Sequence, residues 1–448
     1  MNPEAALRPA EDTSTPRRPR MVRTAVVVGT ALEHYDFFLY GTAAALVFNT
    51  QYFASDNPLV ASLAAFATFA VGFAARPLGA VIFGHLGDTL GRRATLIFTL
   101  VLIGVSTGLI GVIPNQDVIG IMAPIALVTL RFLQGISFGG EWAGAVTLAS
   151  EHAPKGKEGL YASLPQLGSP IGNIISSGAF LALGTLPPDA FQAWGWRIPF
   201  LAAFPLLGVA LWVRTLVDES PAFKNATQAN LIQKVPAWQV VRRAPGRMFT
   251  AAAVAFVSIG GFFLVTTFAI SYGTGTVGLS SSTMLTATLS AAALQIVTVL
   301  VTGSVADRID PIKLATWGCA VTAVLAFPAI LALSSGSPVL AIVAIIVIVQ
   351  PIAVAYAVTG VILPELFHTS IRYSGVALGF NIAGFVGGFV PMIATSLLIV
   401  SGSKSWPISV LLLVIALISL AGVRIANRLI PPMGRRRTGS AAEAAQAE

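Results

Sequence analysis

The feature that most constrains this chain is a succession of long apolar runs. Twelve are read at roughly 22–48, 59–85, 94–113, 119–151, 159–185, 197–217, 248–274, 282–304, 314–334, 339–364, 373–401 and 407–430. Each is near or above the roughly 20 residues a helix needs to cross the hydrocarbon of a bilayer. In lipid every backbone polar group must be satisfied inside the segment, so such runs predict helices. Only 10% of the 448 residues are charged, against about 25% in soluble domains. With a mean hydropathy of +0.80, the expected fold is an all-α membrane protein of twelve transmembrane helices.

The net charge of +8 invites a nucleic-acid reading, but the distribution of charge argues for topology control instead. Arg17, Arg18, Arg20, Arg92, Arg93, Lys155, Lys157, Arg242 and Arg243 fall in tails and loops on one side, as do Arg308, Arg435 and Arg436; only Arg197 and Lys404 fall on the other. The positive-inside rule then places both termini in the cytoplasm of a cell (inner or plasma) membrane. The tail 1–21 is polar, without the apolar core of a signal peptide. It and the tail 431–448 are expected to be disordered. A polar, proline-bearing loop at 218–247 divides an N-terminal six-helix half, 22–217, from a C-terminal half, 248–430. Cys319 is the single cysteine, so no intramolecular disulfide forms.

Charge inside the spans carries the functional signal. Glu33 and Asp36 lie mid-way along the first run, with Tyr40 on the same helix face. Arg76, Arg131 and Glu141 complete the set, and all five belong to the first half. A charge at the bilayer centre costs a few kcal/mol, roughly 2.5 or more, and so marks a pathway or proton relay. Three acids face two bases, which leaves one carboxylate over. An unpaired buried carboxylate can take up a proton in a physiological range, whereas Arg stays charged. Protonating an acid would release an Arg to hold a substrate carboxylate through a bidentate contact.

Two stretches repeat. Gly84-His85-Leu86-Gly87-Asp88 follows the second run and continues through Gly91 and Arg92; Gly303-Ser304-Val305-Ala306-Asp307 follows the eighth, with the same Gly-to-Asp spacing. The first stretch resembles the signature loop of the major facilitator superfamily. The resemblance implies the major facilitator fold, with the site between two six-helix halves near the midplane. It also assigns a cytoplasmic gate to Gly84, Asp88, Gly91 and Arg92, with Asp307 in the second copy. Glu33-His34-Tyr35-Asp36-Phe37 resembles the first-helix motif of the metabolite:proton symporters, which typically have Trp where His34 stands. Arg76-Pro77-Leu78-Gly79, Gly139-Gly140-Glu141-Trp142 and the run from Pro364-Glu365-Leu366-Phe367 to Arg372-Tyr373-Ser374-Gly375 match the same family, and place Glu365 and Arg372 with the gate. That family carries shikimate, 2-oxoglutarate, citrate and related acids, or proline and betaine. Ala64-Ala65-Phe66-Ala67-Thr68-Phe69 resembles the shikimate branch. Related sugar symporters pair an Asp of the first helix with an Arg of the fourth, which favours Asp36 with Arg131 as the proton-coupling pair, with Glu33 and Glu141 as further acids.

Substrate orientation requires polar groups on both halves. The candidates are Arg76, Tyr40, Gln134, Gln166 and Asn173 in the first, and Tyr272, Tyr356 and Asn381 in the second. Pro165 and Pro170 should break the fifth span, where irregular backbone is tolerated if it lines a cavity. His34 is expected to be a satisfied core histidine. No His or Cys pair has metal-ligand spacing, no Gly-rich loop precedes a Lys to hold ATP, and no nucleophile motif is present. The expectation is therefore a monomeric carrier with no enzymatic activity, cofactor or nucleic-acid partner. It imports a small organic acid with protons. The alternatives are a proline/betaine-type osmolyte symporter (made less fitting by the lack of a C-terminal coiled coil), an exporter of amphipathic compounds, and a metabolite sensor.

Overall fold

The computed structural model describes residues 18–90, 92–138, single positions between 142 and 154, 156–215, 236–368 and 371–430. Helix covers the described part of every apolar run. The main helices are α1 (Arg18–Ala43), α2 (Pro58–Ala74), α3 (Arg76–Leu90), α4 (Arg92–Ile110), α5 (Met122–Ser137), α6 (Glu158–Ser163), α7 (Gly168–Leu183) and α8 (Ala203–Thr215). They continue with α9 (Pro245–Phe256), α10 (Ser281–Ala306), α11 (Pro311–Leu333), α12 (Pro338–Glu365), α13 (Arg372–Val400) and α14 (Trp406–Leu429). Among the described residues seven helical segments are long and apolar enough to cross a membrane. They run from Pro58–Phe83 and Pro245–Val277 through to Trp406–Leu429.

The starts of these helices follow from local chemistry. Asn57, Asp310 and Ser337 each precede a proline at the first helical position, and each side chain accepts a backbone N–H of the first turn, at 2.9, 3.0 and 3.5 Å. An oxygen cap followed by proline satisfies one orphan donor and removes another. The same logic revises the expected loop at 218–247: Pro236 opens a short helix, Pro236–Arg243, and Pro245 opens α9. Prolines that read as breakers serve there as starters, because proline's fixed φ suits the first turn. Pro165 does break the fifth run, where a 3₁₀ turn, Leu164–Leu167, separates α6 from α7.

Connections alternate between two ends of the bundle. Tyr52 donates to the Ile113 carbonyl at 2.9 Å and Gln51 to the Gln192 carbonyl at 3.1 Å, so the turns near 52, 114 and 192 gather at one end. Between residues before 215 and residues after 236, α7 packs on α10 and α2 packs on α13. α2 and α3 both cross α5 at very short range. A Cβ added at Gly79 would meet the Ile136 carbonyl, and one added at Gly135 would meet the Gly72 carbonyl, both far inside contact distance. Only glycine permits backbones this close. Two stretches depart from α geometry in a way no periodicity announces. α1 ends in a π-helical turn, Ala44–Phe48, and the helix after α9 holds three more, Val257–Gly261, Leu264–Phe268 and Gly273–Val277.

Candidate functional site

Asp36 and Arg131 meet in the interior. Arg131 Nη1 stands 3.7 Å from Asp36 Oδ2, with side-chain exposures of 0% and 4%. The contact is an ion pair without a direct hydrogen bond, and the amide of Gln134 links the two groups. Gln134 Oε1 accepts from Arg131 Nη1 at 3.2 Å, and Gln134 Nε2 donates to Asp36 Oδ1 at 2.9 Å and to Thr107 Oγ1 at 2.9 Å. The Thr107 hydroxyl lies 2.5 Å from Asp36 Oδ1 and 2.8 Å from the Ile103 carbonyl. It has one hydrogen for these two acceptors. When Asp36 is ionised, Thr107 donates to it; when Asp36 is protonated, the carboxyl donates to Thr107, which turns to Ile103. The same heavy-atom geometry accommodates either state.

Arg131 is held by shape as well as charge. Its guanidinium carbon sits 4.2 Å from the centre of the Tyr40 ring and 5.3 Å from that of Phe69. A Cβ on Gly72 would fall 2.5 Å from Nε, so α2 must carry glycine there. Among the described residues Nε and Nη2 of Arg131 and Oδ2 of Asp36 have no hydrogen-bond partner. Attraction across about 4 Å amounts to about 4 kcal/mol at an effective dielectric of 20. Desolvation costs several kcal/mol for each ion. The pair therefore contributes little net stability, and its place in the interior is better explained by what it does.

A second guanidinium lies nearby. Arg76, buried at the start of α3, stacks between Phe37 and Phe73, 4.4 Å from each ring centre, and faces Phe138 at 5.5 Å. It lies within electrostatic range of Glu33 and Arg131. Glu33 is buried on the same turn of α1 as Asp36 and also acts on Tyr356 of α12. From the other half, Gly384 of α13 approaches Arg76 Nη1, its added Cβ 3.6 Å away.

The remaining candidates divide. Tyr40 and Gln134 belong to the ion pair rather than to open space: Tyr40 donates to Thr68 Oγ1 at 2.6 Å, and Gln134 has every polar atom engaged. Gln166 bridges towards the second half, accepting from Trp142 Nε1 at 3.1 Å and reaching Thr359 Oγ1 at 3.5 Å. Trp142 stacks face to face on Phe380 of α13, 3.6 Å between ring centres. Asn173 accepts from Ser177 at 2.7 Å, one turn along α7. Tyr272 is bonded to Ser334 at 2.9 Å and is not brought to the buried charges. Asn381 is half-buried on α13. Asp307 accepts from the Gly159 backbone N–H at the start of α6, at 2.7 Å, joining residues before 215 to residues after 236. Glu365 closes α12 and Arg372 opens α13. Glu141 and Gly91, the side chains of Asp88 and Arg92, and the packing around Gly84 lie outside the described residues. A cleft of about 540 Å³ at the turns near 52, 114 and 192, bordered by Gln51, Asn115, Gln192 and Arg197, holds none of these groups.

Thr107, Trp142 and Phe380 join the site only through the fold. A lone threonine in an apolar run carries no signal of its own, because what matters is the partner it meets in space. Trp142 is visible in the sequence as part of a motif, adjacent to Glu141.

An all-helical bundle long enough to span a membrane, with charge enclosed at its centre, defines a secondary transporter as a class. The profile of the Major Facilitator Superfamily matches residues 26–390, and this chain belongs to that superfamily of transporters. It is 38% identical to the shikimate transporter of Escherichia coli K12, over 92% of this chain and 95% of that protein. It is 31% identical to the proline/betaine transporter of the same organism, over 91% of this chain and 84% of that protein. Among solved structures, the proton:xylose symporter XylE bound to 6-bromo-6-deoxy-D-glucose superposes with a TM-score of 0.70 at 18% identity, covering 92% of this chain and 96% of that one. That likeness establishes the fold.

Proposed function

We propose that this protein imports a small organic acid, shikimate or a related carboxylate, together with protons across the cell membrane. It works as a monomer with both termini cytoplasmic and needs no cofactor beyond the proton gradient. The observation that carries the reading is the Asp36–Thr107–Gln134–Arg131 cluster. A carboxylate and a guanidinium are enclosed together, with an adjoining hydroxyl that can switch its donation. Protonation of Asp36 removes the negative partner of Arg131 and leaves a cationic interior, with Arg76 close by, that attracts an anion. Glu33 and Glu141 act as further acids. Gln166, Asn173, Tyr356 and Asn381 supply polar contacts as the halves, 22–217 and 248–430, rock about the site. Asp307, Glu365 and Arg372, with Gly84, Asp88, Gly91 and Arg92, form the cytoplasmic gate. The identity to a shikimate transporter supports the substrate class.

A proline/betaine-type osmolyte is the second reading, favoured by the relative of that name. Aromatic faces of Trp142 and Tyr356 near Glu33 would suit a quaternary ammonium.

The test is uptake of radiolabelled shikimate into proteoliposomes under an inward proton gradient, with 2-oxoglutarate and betaine as competitors. We expect gradient-driven accumulation that Asp36→Asn abolishes, while shikimate exchange without a gradient persists. Accumulation unchanged in Asp36→Asn would remove Asp36 as the coupling acid. Betaine uptake in place of shikimate would establish the osmolyte reading.

A further inference from the structure

His34 lies on α1 where it runs beside α7: a Cβ added at Gly172 would fall 2.9 Å from its Cβ. Its Nδ1 is 2.7 Å from the carbonyl oxygen of Thr30, one turn back. A carbonyl only accepts, so Nδ1 carries the hydrogen, and in the neutral ring Nε2 keeps its lone pair. The ring is thereby oriented with an acceptor at its outer edge. It sits between Phe37 and Phe38, with centroids 6.4 Å from each. Phe37 leads to Arg76, and Phe38 meets Phe262 of the second half at 5.7 Å. Glu33, Tyr35, Asp36, Phe37 and Phe38 are all buried, yet His34 retains accessible surface within the bundle. Among the described residues Nε2 meets no protein donor and is not sealed off by packing.

Two recognition elements thus adjoin. Arg76 offers a guanidinium whose Nε has no partner among the described residues, facing a glycine of α13. His34 offers a fixed acceptor in its electrostatic neighbourhood. We propose that His34 Nε2 accepts a hydrogen bond from a hydroxyl of the transported acid while Arg76 takes its carboxylate. The preferred substrates are then hydroxylated carboxylates, and plain carboxylates of the same ring are poor ones. A site built to bond a hydroxyl discriminates against an analogue that lacks it, since the buried acceptor is left unpaired. This inference rests on the carboxylate reading above.

The experiment uses the full chain in proteoliposomes with two probes, shikimate and cyclohex-1-ene-carboxylate, which has the same ring without hydroxyls. Wild type should favour shikimate. His34→Phe, which keeps a flat ring but removes the acceptor, should raise KM for shikimate about tenfold, the worth of one hydrogen bond. It should leave cyclohex-1-ene-carboxylate within about twofold, and that uptake also reports that the variant is folded. His34→Gln, which restores an amide acceptor, should recover part of the preference. An equal change for both probes in His34→Phe, or none, overturns the inference, as does a wild type that takes both acids without preference. A wild type that takes neither acid overturns the carboxylate reading itself, and this inference with it.

Discussion

The part of the bundle before residue 215 and the part after residue 236 differ in chemistry. Among the described residues every buried charged side chain, Glu33, Asp36, Arg76 and Arg131, precedes residue 215. The matching interior after residue 245 is built from Phe262, Phe263, Phe268, Tyr272 and Tyr356 with buried threonines. Phe69 and Phe73 of α2 meet Phe263 edge to face at 5.2 and 5.3 Å, so an aromatic wall closes against the charged side. The difference teaches a division of chemistry: the ionisable groups are enclosed on one side, and the other side faces them with aromatic and hydroxyl-bearing surface. The three π-helical turns between Val257 and Val277 belong to that aromatic side, and such turns are frequent at functional positions in helices.

The comparison can be broken most directly at Arg131. Arg131→Met leaves Asp36 buried without its cation and should cost about 3–5 kcal/mol of stability. Adding Asp36→Asn should return most of it, and thermal unfolding in detergent measures both. If the double variant is no more stable than the single one, the two groups are not coupled. Next is packing on the charged side. Gly72→Ala places a methyl against Arg131 Nε and the guanidinium must shift, so a loss of about 1–3 kcal/mol is expected from the same measurement. The contact across the halves should come third. A double-mutant cycle on Trp142→Ala and Phe380→Ala should give a coupling of about 0.5–1.5 kcal/mol, and near-zero coupling would show that the stack does not join the halves. The smallest effect is assigned to the uncharged side: Tyr272→Phe loses one hydrogen bond to Ser334, about 1 kcal/mol. Its shikimate uptake should match wild type; a large loss would bring Tyr272 into the site.

Much of this architecture is legible in the amino-acid sequence. Helices in lipid must satisfy their own backbone groups, so apolar run length alone announces them, and the proline break at Leu164–Leu167 follows from the same constraint. The Asp36–Arg131 pair is legible through the resemblance to sugar symporters, which singles it out among five charges inside the spans. The roles of Tyr40 and Gln134 are not. Both are plausible ligand groups by residue type, yet their polar atoms are engaged by Thr68, Thr107, Asp36 and Arg131. The open edge of His34 is not legible either, because a histidine in an apolar run is usually satisfied by its neighbours.

What the sequence by itself determined is a helical membrane bundle with its charge in one half, because hydrophobic length and the cost of burying ions act locally along the chain. What only the tertiary structure decided is which atoms share partners. That depends on how far each helix is rotated and how closely α2 and α3 cross α5 at Gly72, Gly79 and Gly135. A shift of one residue around a helix turns a side chain by about 100°, so hydrogen-bond partners follow from packing between helices rather than from spacing within one.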